Sequence, residues 1–185
     1  MEIDINQQKI SIGDKYRVFI DGSLRFRASR ILFRWLATVK LFDQDSDIAR
    51  LTIHRRLSFF KPKYDIILRD ENVFPFYTIS FWKLHYQCQA GNDTYDIYGH
   101  RGRKYSIFKN NRQIGWWDKK AVTWFAGDNY TITADNNANT ELLIAFCLVI
   151  DNYRSDDHEG GALKYDFGNI GFSTRPFDSS WRPTA

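Results

Sequence analysis

Most of the chain alternates apolar and polar residues in short runs that end at turn-forming residues. In the first clear run, Tyr16 and Val18 alternate with charged neighbours. Asp21–Gly22 then gives the signal of a type I′ hairpin turn, and Leu24 resumes the alternation. Period-two alternation is typical of strands with one buried face. About twelve such segments can be recognised, so the pattern predicts a mainly β chain built from hairpins.

One stretch departs from this pattern, because Leu142 to Ile150 is an unbroken apolar run. As a helix the run is about 13 Å long, whereas crossing a bilayer takes about 20 residues. A helix that is apolar on every side has to be surrounded by protein. The alternative is a strand buried on both faces, which is typical of parallel sheets with crossover helices, and the rest of the sequence offers no such helices. The pattern therefore favours a buried helix over residues 139–152.

The number of strands predicts where this helix lies. A sheet of about twelve strands tends to curl or close. A closed barrel of that size has a lumen too wide for its own side chains to fill, so it needs a plug. We therefore predict a closed antiparallel barrel of about twelve strands around a buried hydrophobic C-terminal α-helix, an arrangement known among closed β architectures.

Composition agrees with one β-rich domain. The chain has 185 residues, of which 17% are aromatic, and large flat side chains pack well on pleated sheets. Cys88 and Cys147 lack metal-site or disulfide spacing, which suits a reducing compartment. Residues 1–6 show neither the basic nor the apolar region of a secretion signal. We expect a cytoplasmic location, with or without peripheral association with a membrane.

Two segments and their order carry a family resemblance. They read SFFKPKYDI at residues 58–66 and LLIAFCLVID at residues 142–151, and they follow one another in a basic, hairpin-rich body that ends in the apolar run. In this the chain resembles the LURP-one-related family of the tubby C-terminal-like superfamily, over about residues 8–153. The resemblance implies a twelve-stranded barrel around a C-terminal hydrophobic helix. It also implies a link to membranes, since tubby domains bind phosphoinositides and phospholipid scramblases act at membranes, but their lipid-binding residues do not align here.

The resemblance divides the chain into a barrel, residues 1–153, and a C-terminal extension, residues 154–185. The extension begins with SDDHEGG at residues 155–161, which we interpret as an acidic flexible linker. The aromatic and apolar residues that follow are unfavourable in a wholly disordered tail. We expect them to pack on the barrel, on a partner protein or on a second copy.

Charge is distributed unevenly along the sequence. Residues 1–120 contain 22 Lys and Arg against 13 Asp and Glu, whereas residues 121–185 contain 4 against 9. A basic body attracts partners that carry phosphate, such as lipid headgroups or nucleic acid. The alternative is that alternating strands present their basic residues to water.

Two clusters in the basic body are candidate sites for lipid or anion binding. The first consists of Arg55, Arg56, Phe59, Phe60, Lys61 and Lys63. The second consists of Arg101, Arg103 and Lys104, in a loop with two glycines that could cradle a phosphate. Aromatic residues beside cations suit a membrane interface, where each nearby Lys or Arg adds about 1 kcal/mol on an anionic surface. The structural alternatives are a phenylalanine pair that closes one end of the barrel and an ordinary hairpin turn.

A third group combines the basic run Trp116–Lys120 with Trp124 and Phe125. If exposed, these residues could insert into lipid or stack on single-stranded bases. The alternative is packing in the core or at the rim of the barrel.

Catalytic and metal-binding patterns are absent from the sequence. Its four histidines are scattered, without metal-ligand spacing or a nucleophile elbow. His85 and Cys88 are three residues apart, which on a strand places them on opposite faces. We expect no catalytic residues, no metal and no cofactor.

Three functional hypotheses follow. The first is a non-enzymatic module that binds anionic phospholipid or phosphoinositide headgroups, or a membrane-proximal adaptor. The second is a scaffold that binds a protein partner or itself through residues 160–181. Nucleic-acid binding through the basic face is the weakest of the three.

Overall fold

A computed structural model of the chain describes residues 1–9, 14–31, 38–57, 63–80, 83–120, 129–158 and 175–184. The described residues form twelve strands and one α-helix. The strands are β1 Glu2–Lys9, β2 Asp14–Ile20, β3 Ser23–Ile31, β4 Thr38–Asp43, β5 Ala49–Arg56, β6 Lys63–Leu68, β7 Val73–Ser80, β8 His85–Ala90, β9 Asp93–His100, β10 Lys104–Lys109, β11 Arg112–Lys120 and β12 Asn129–Ala134. A 3-10 turn, Arg101–Arg103, joins β9 to β10, and α1 spans Thr140–His158.

Each strand pairs antiparallel with the next one, and β1 closes the barrel by pairing with β12. Ile3 of β1 lies opposite Ile20 of β2 on one side and Ile132 of β12 on the other. The predicted fold class, a closed antiparallel barrel of twelve strands with a C-terminal helix, is therefore confirmed.

Alternation of burial along the strands explains why these sequences form them. In β9, Tyr95 and Ile97 are buried in the lumen while the intervening residues are partly exposed. The hairpin turns have the backbone that their residues favour. Asp21 and Gly22 both have positive φ, 47° and 78°, as a type I′ turn requires.

Helix α1 fills the lumen. Residues Leu142 to Ile150 are each at most 3% exposed, so the helix is covered on all sides. The Phe146 ring lies 5.9 Å from the ring of Phe76 and 5.4 Å from that of Tyr95. Asn139 caps the first turn, because its Oδ1 accepts a hydrogen bond from the Leu142 amide at 3.1 Å.

The helix is longer than the sequence analysis indicated. It continues to His158, whereas the prediction ended it at residue 152 and interpreted residues 155–161 as a flexible linker. That interpretation is wrong for residues 155–158, which are helical. Asp and Ser are poor helix formers in isolation, but adding residues to an existing helix avoids the cost of nucleation.

Proline is disfavoured inside a sheet, yet Pro75 belongs to a strand. It lies in β7 opposite Asp65 of β6, and the pairing of β7 with β8 begins only at Phe76. The proline is therefore at a position where β7 is paired on one side, so its missing N–H removes no hydrogen bond to β8.

The meander gives the barrel two distinct ends. We call the end where α1 begins the entry end; it carries the turns β2–β3, β4–β5, β6–β7, β8–β9 and β10–β11. We call the opposite end, towards which α1 runs, the exit end; it carries the connections β1–β2, β3–β4, β5–β6, β7–β8, β9–β10 and β11–β12.

Candidate anion-binding end of the barrel

Both predicted clusters lie at the exit end. The first belongs to the β5–β6 connection and the second to the β9–β10 connection, and strands β7 to β9 separate them along the wall. The antiparallel meander brings them to one rim, because every second connection returns to the same end. Phe59, Phe60 and Lys61 lie outside the described residues.

The described members of the first cluster differ in their surroundings. Arg56 forms an ion pair with Asp65, which raises the pKa of the Arg56 guanidinium. Lys63 is exposed, and its Nζ lies 5.8 Å from the centre of the Tyr77 ring. Arg55 is half-buried and follows Leu51 and Ile53 on the inward-facing side of β5.

The second cluster forms an ordinary hairpin connection rather than a phosphate loop that leads into a helix. Gly102 and Arg103 both have positive φ, 74° and 65°. The side chain of Arg101 is exposed. Lys104 is only partly exposed, with its Nζ 5.7 Å from the Trp116 ring and 5.2 Å from the Phe177 ring.

The third group separates into two environments. Trp117 points into the lumen, is 1% exposed and stacks on Tyr105 with 4.7 Å between ring centres. Trp116 lies on the outer wall against Phe177. The core alternative is therefore correct for Trp117, while Trp124 and Phe125 lie outside the described residues.

Cations outnumber carboxylates among the described wall residues at the exit end. The cations are Lys15, Arg30, Arg55, Arg56, Lys63, Lys83, Arg101, Arg103, Lys104 and Lys119, and the carboxylates are Asp65 and Asp118. Helix α1 adds the carboxylate of Asp151, which the Nζ of Lys119 approaches to 3.4 Å. A rim with this imbalance has a positive potential that attracts anions.

Ion pairs hold four of the cations at the entry end. They join Arg27 to Asp47 at 2.6 Å, Arg50 to Asp43 at 2.9 Å, Lys109 to Asp93 at 2.8 Å and Arg112 to Asp135 at 3.1 Å. A polar cavity of about 690 Å³ opens at this end, and both cations that line it, Lys109 and Arg112, are among the paired ones. The hydrogen bond from Lys109 lowers the pKa of Asp93. The cavity therefore lies away from both predicted clusters and carries little unbalanced charge.

Sequence reasoning missed a polar group inside the lumen near the exit end. Asp151 of α1 is 6% exposed and accepts hydrogen bonds from the hydroxyl groups of Tyr130 and Tyr16. The Nζ of Lys119 lies 3.4 Å from its Oδ1, and Gln7 donates to the Tyr16 hydroxyl. The sequence does contain a signal for this polar group. Asp151 directly follows the apolar run, and Lys119 continues the inward-facing positions of β11.

The described residues lack the groups that common catalytic sites use. None of the described His, Cys, Asp and Glu side chains gather in threes to form a possible metal site. Cys88 and Cys147 are buried free thiols, and burial raises the pKa of Cys88 to about 12, which makes it a poor nucleophile. His85 bonds Asp96 at 2.8 Å on the outer face while Cys88 faces the lumen, so the two do not form a dyad.

The helices of the described part of the chain include no segment with the length and hydropathy of a membrane span.

A family model described as LURP-one-related matches residues 1–151. This range contains both described clusters and all of α1 up to Asp151, and it agrees closely with the resemblance found from the sequence. No curated protein and no solved structure matches the chain.

Proposed function

Because this chain belongs to the LURP-one-related family, we propose that it is a non-enzymatic binding module whose exit end binds the headgroups of anionic phospholipids. In this proposal the protein associates peripherally with a membrane surface and carries out no reaction. The family and the barrel fold are typically non-catalytic, which agrees with the properties of the buried thiols.

One observation supports the proposal most strongly, which is the unequal charge of the two ends. At the entry end four cations, Arg27, Arg50, Lys109 and Arg112, lie in ion pairs, whereas at the exit end the cations from several connections around one rim outnumber the carboxylates. A flat anionic surface can contact a whole rim at once, so cations from separate connections act together. Each Lys or Arg near such a surface contributes about 1 kcal/mol.

Leu57 adds an apolar group to this rim. It directly follows Arg56 at the end of β5, and its side chain is 80% exposed. An exposed leucine beside cations fits a membrane interface, because its side chain can enter the headgroup region while the cations remain among the phosphates.

The cations at the exit end differ in how much they can contribute to headgroup binding. Lys63 and Arg101 are exposed at the rim and are the best placed for headgroup contact. Arg56 contributes less, since Asp65 already neutralises it. Lys104 is covered in part by Phe177.

The proposal is tested by sedimentation with vesicles, using two variants that change the net charge equally. Lys63→Glu with Arg101→Glu reverses two cations at the exit end, and Arg25→Glu with Arg69→Glu reverses two exposed cations at the entry end. We expect the wild-type protein to sediment with vesicles that contain phosphatidylserine or phosphoinositide and to remain in solution with phosphatidylcholine alone. The exit-end variant should bind at least about tenfold more weakly, since removing two contacts of about 1 kcal/mol each is sufficient.

The entry-end variant should retain nearly wild-type binding. Equal loss in both variants would mean that net charge alone governs binding, and negligible binding of the wild-type protein to every vesicle would rule out the function. Binding that falls with salt and occurs equally on single-stranded DNA would indicate a nucleic-acid partner instead.

A further inference from the structure

Three residues of β9 and β10 are buried although their side chains point away from the lumen. His100, Ser106 and Phe108 are 5%, 1% and 6% exposed. Neighbours that alternate with them, such as Ile97 and Ile107, face the lumen and α1. Outward positions of a closed barrel normally contact water, so burial on this side requires a second layer of protein.

Residues 175–184 supply part of this layer. The guanidinium carbon of Arg175 lies 3.8 Å from the centre of the Phe108 ring, which is the distance of a stacked pair. It also lies 5.8 Å from the Tyr98 ring, and its Nη1 donates a hydrogen bond to Asn111 Oδ1 at 2.9 Å. Arg175 is therefore held by a ring face and by an amide acceptor at once.

Phe177 is the second anchor. Its ring meets His100 edge to face at 5.3 Å and Trp116 at 5.5 Å, and Lys104 Nζ lies 5.2 Å from its centre. Pro176 lies between the two anchors. Proline fixes its own φ and favours an extended backbone before it, so side chains two residues apart can reach the same surface.

A third contact fixes the end of the segment. The Thr184 amide donates to Asp135 Oδ1 at 2.7 Å, and Arg112 donates to the Thr184 hydroxyl at 2.9 Å. The Asn136 amide donates to the Thr184 carbonyl at 3.2 Å. Between the anchors and this contact, Asp178 accepts from the Ser180 amide and hydroxyl and so forms a turn within the segment.

We propose that the outer wall of β9 to β11 is a peptide-docking groove that recognises an arginine and a phenylalanine two residues apart, and that its resident ligand is this chain's own segment of residues 175–184. The recognition is specific by chemistry. A flat guanidinium stacks on Phe108 and bonds Asn111, which a lysine cannot do in the same way, and Phe177 enters a site with aromatic walls and a cation.

The segment is part of the same polypeptide, so a free peptide competes against a high effective local concentration. An open groove is therefore needed to measure binding. The full-length double variant Arg175→Ala, Phe177→Ala provides one, since it removes both anchors and leaves the groove unchanged.

The experiment measures binding of a fluorescent peptide with the sequence of residues 175–184 by anisotropy. We expect saturable binding to the double variant and at least tenfold weaker binding to the wild-type protein, whose groove is occupied. A peptide with lysine in place of Arg175 should bind several-fold more weakly, and a peptide with both anchors replaced by alanine should not bind. Equal binding of the peptide to both proteins, or none to the double variant, would overturn the proposal.

Hydrogen exchange gives a second readout that needs no added peptide. The amides of Asn136 and Thr184 should exchange slowly in the wild-type protein and at least tenfold faster in the double variant, because docking protects both. The control is Arg182→Ala, since Arg182 donates to the Ser179 and Trp181 carbonyls within its own segment and should leave docking intact. Equally fast exchange in the wild-type protein would show that the segment is not held. No lipid enters either measurement, so the outcome is independent of the proposed membrane function.

Discussion

At the scale of single residues, His100 shows how the second layer on the outer wall changes chemistry. Its Nε2 lies 2.6 Å from the Ser106 hydroxyl oxygen, and its ring is in contact with Phe177. Burial lowers the pKa of His100 to about 4, because the charged imidazolium would lose its hydration. The residue is therefore neutral at physiological pH and serves as packing and a hydrogen-bond partner.

This pKa predicts how stability depends on pH. In the unfolded chain His100 has its ordinary pKa of about 6.5, so below that pH the unfolded state takes up a proton that the folded state takes up only near pH 4. Stability should fall as pH decreases from 6.5 towards 4. Between pH 7 and pH 5 the loss due to His100 should be at most about 2 kcal/mol. Urea denaturation of the wild-type protein and of His100→Gln at both pH values checks this, and the variant should lose less.

The interval from pH 7 to pH 5 separates this effect from that of Asp93. Asp93 has a lowered pKa, so its contribution is lost only at more acidic pH. An equal loss of stability in the wild-type protein and in His100→Gln would assign the pH dependence to other groups.

Asp151 is a second residue whose role depends on its surroundings. A carboxylate at the end of the apolar run of α1 is costly to bury unless it is bonded, and here two tyrosine hydroxyls and Lys119 surround it. These partners come from β2, β11 and β12, so the bonds favour one axial position of α1 in the barrel. Without these bonds, an apolar helix could shift along an apolar lumen with a smaller loss of stabilising free energy.

At the scale of elements, α1 is the largest single contributor to the core. Its apolar run is surrounded by rings and branched side chains from most of the barrel, including Phe76, Tyr95 and Ile53. The lumen side chains have no packing partner other than α1 at this depth. Truncating a side chain of the helix therefore leaves a cavity that the surrounding side chains do not fill.

A pair of leucine substitutions tests this role. Leu148 on α1 is 0% exposed and Leu57 at the rim is 80% exposed. Leu148→Ala should lower the free energy of unfolding by about 2–5 kcal/mol, whereas Leu57→Ala should change it by less than about 0.5 kcal/mol. Denaturation in guanidinium chloride measures both. Similar small effects of the two substitutions would mean that the helix is not closely packed in the barrel.

Strand β9 requires a glycine at position 99. A Cβ atom on Gly99 would lie 2.7 Å from the Cβ of Leu84, and the Gly99 amide donates to the Leu84 carbonyl at 2.8 Å. The turn before β8 therefore lies directly against the end of β9, which leaves no space for a side chain. Gly99 is the first of the two glycines beside the second basic cluster, and it serves close backbone approach.

At the scale of the whole molecule, closure makes the barrel and the helix one unit. The first strand pairs with the last, and Thr131 of β12 donates to Asp4 of β1 at 2.8 Å across the seam. The amino group of Met1 also donates to the Ala134 carbonyl at 2.9 Å. Opening this seam would expose the lumen side chains, and removing α1 would do the same.

We therefore expect a single cooperative unfolding transition. Far-ultraviolet circular dichroism at 222 nm, which reports on α1, and tryptophan fluorescence, which includes Trp117 in the lumen, should give the same midpoint in urea. Loss of the helix signal at a lower urea concentration than the fluorescence change would show that the barrel can stand without α1.

The sequence by itself determined the repeating features of the molecule. Alternation along segments such as Tyr16–Ile20 predicted the strands, the run Leu142 to Ile150 predicted the helix, and strand number together with the need for a plug predicted the barrel. These are local or additive properties, since the direction of a side chain follows from backbone geometry and residues two apart on a strand share a face. The sequence also identified the two basic clusters, which the meander then placed at one end.

Only the tertiary structure decided which charged and aromatic groups remain available. Arg56 is neutralised by Asp65 across the β5–β6 pair, Lys104 lies under Phe177, and Asp151 is bonded by residues from three strands. Tertiary structure also brought Arg175 to Phe108, so that this outward-facing side chain is buried. These outcomes depend on contacts between residues far apart in the chain, which periodicity does not encode, because periodicity specifies the face on which a side chain lies and not what will cover it.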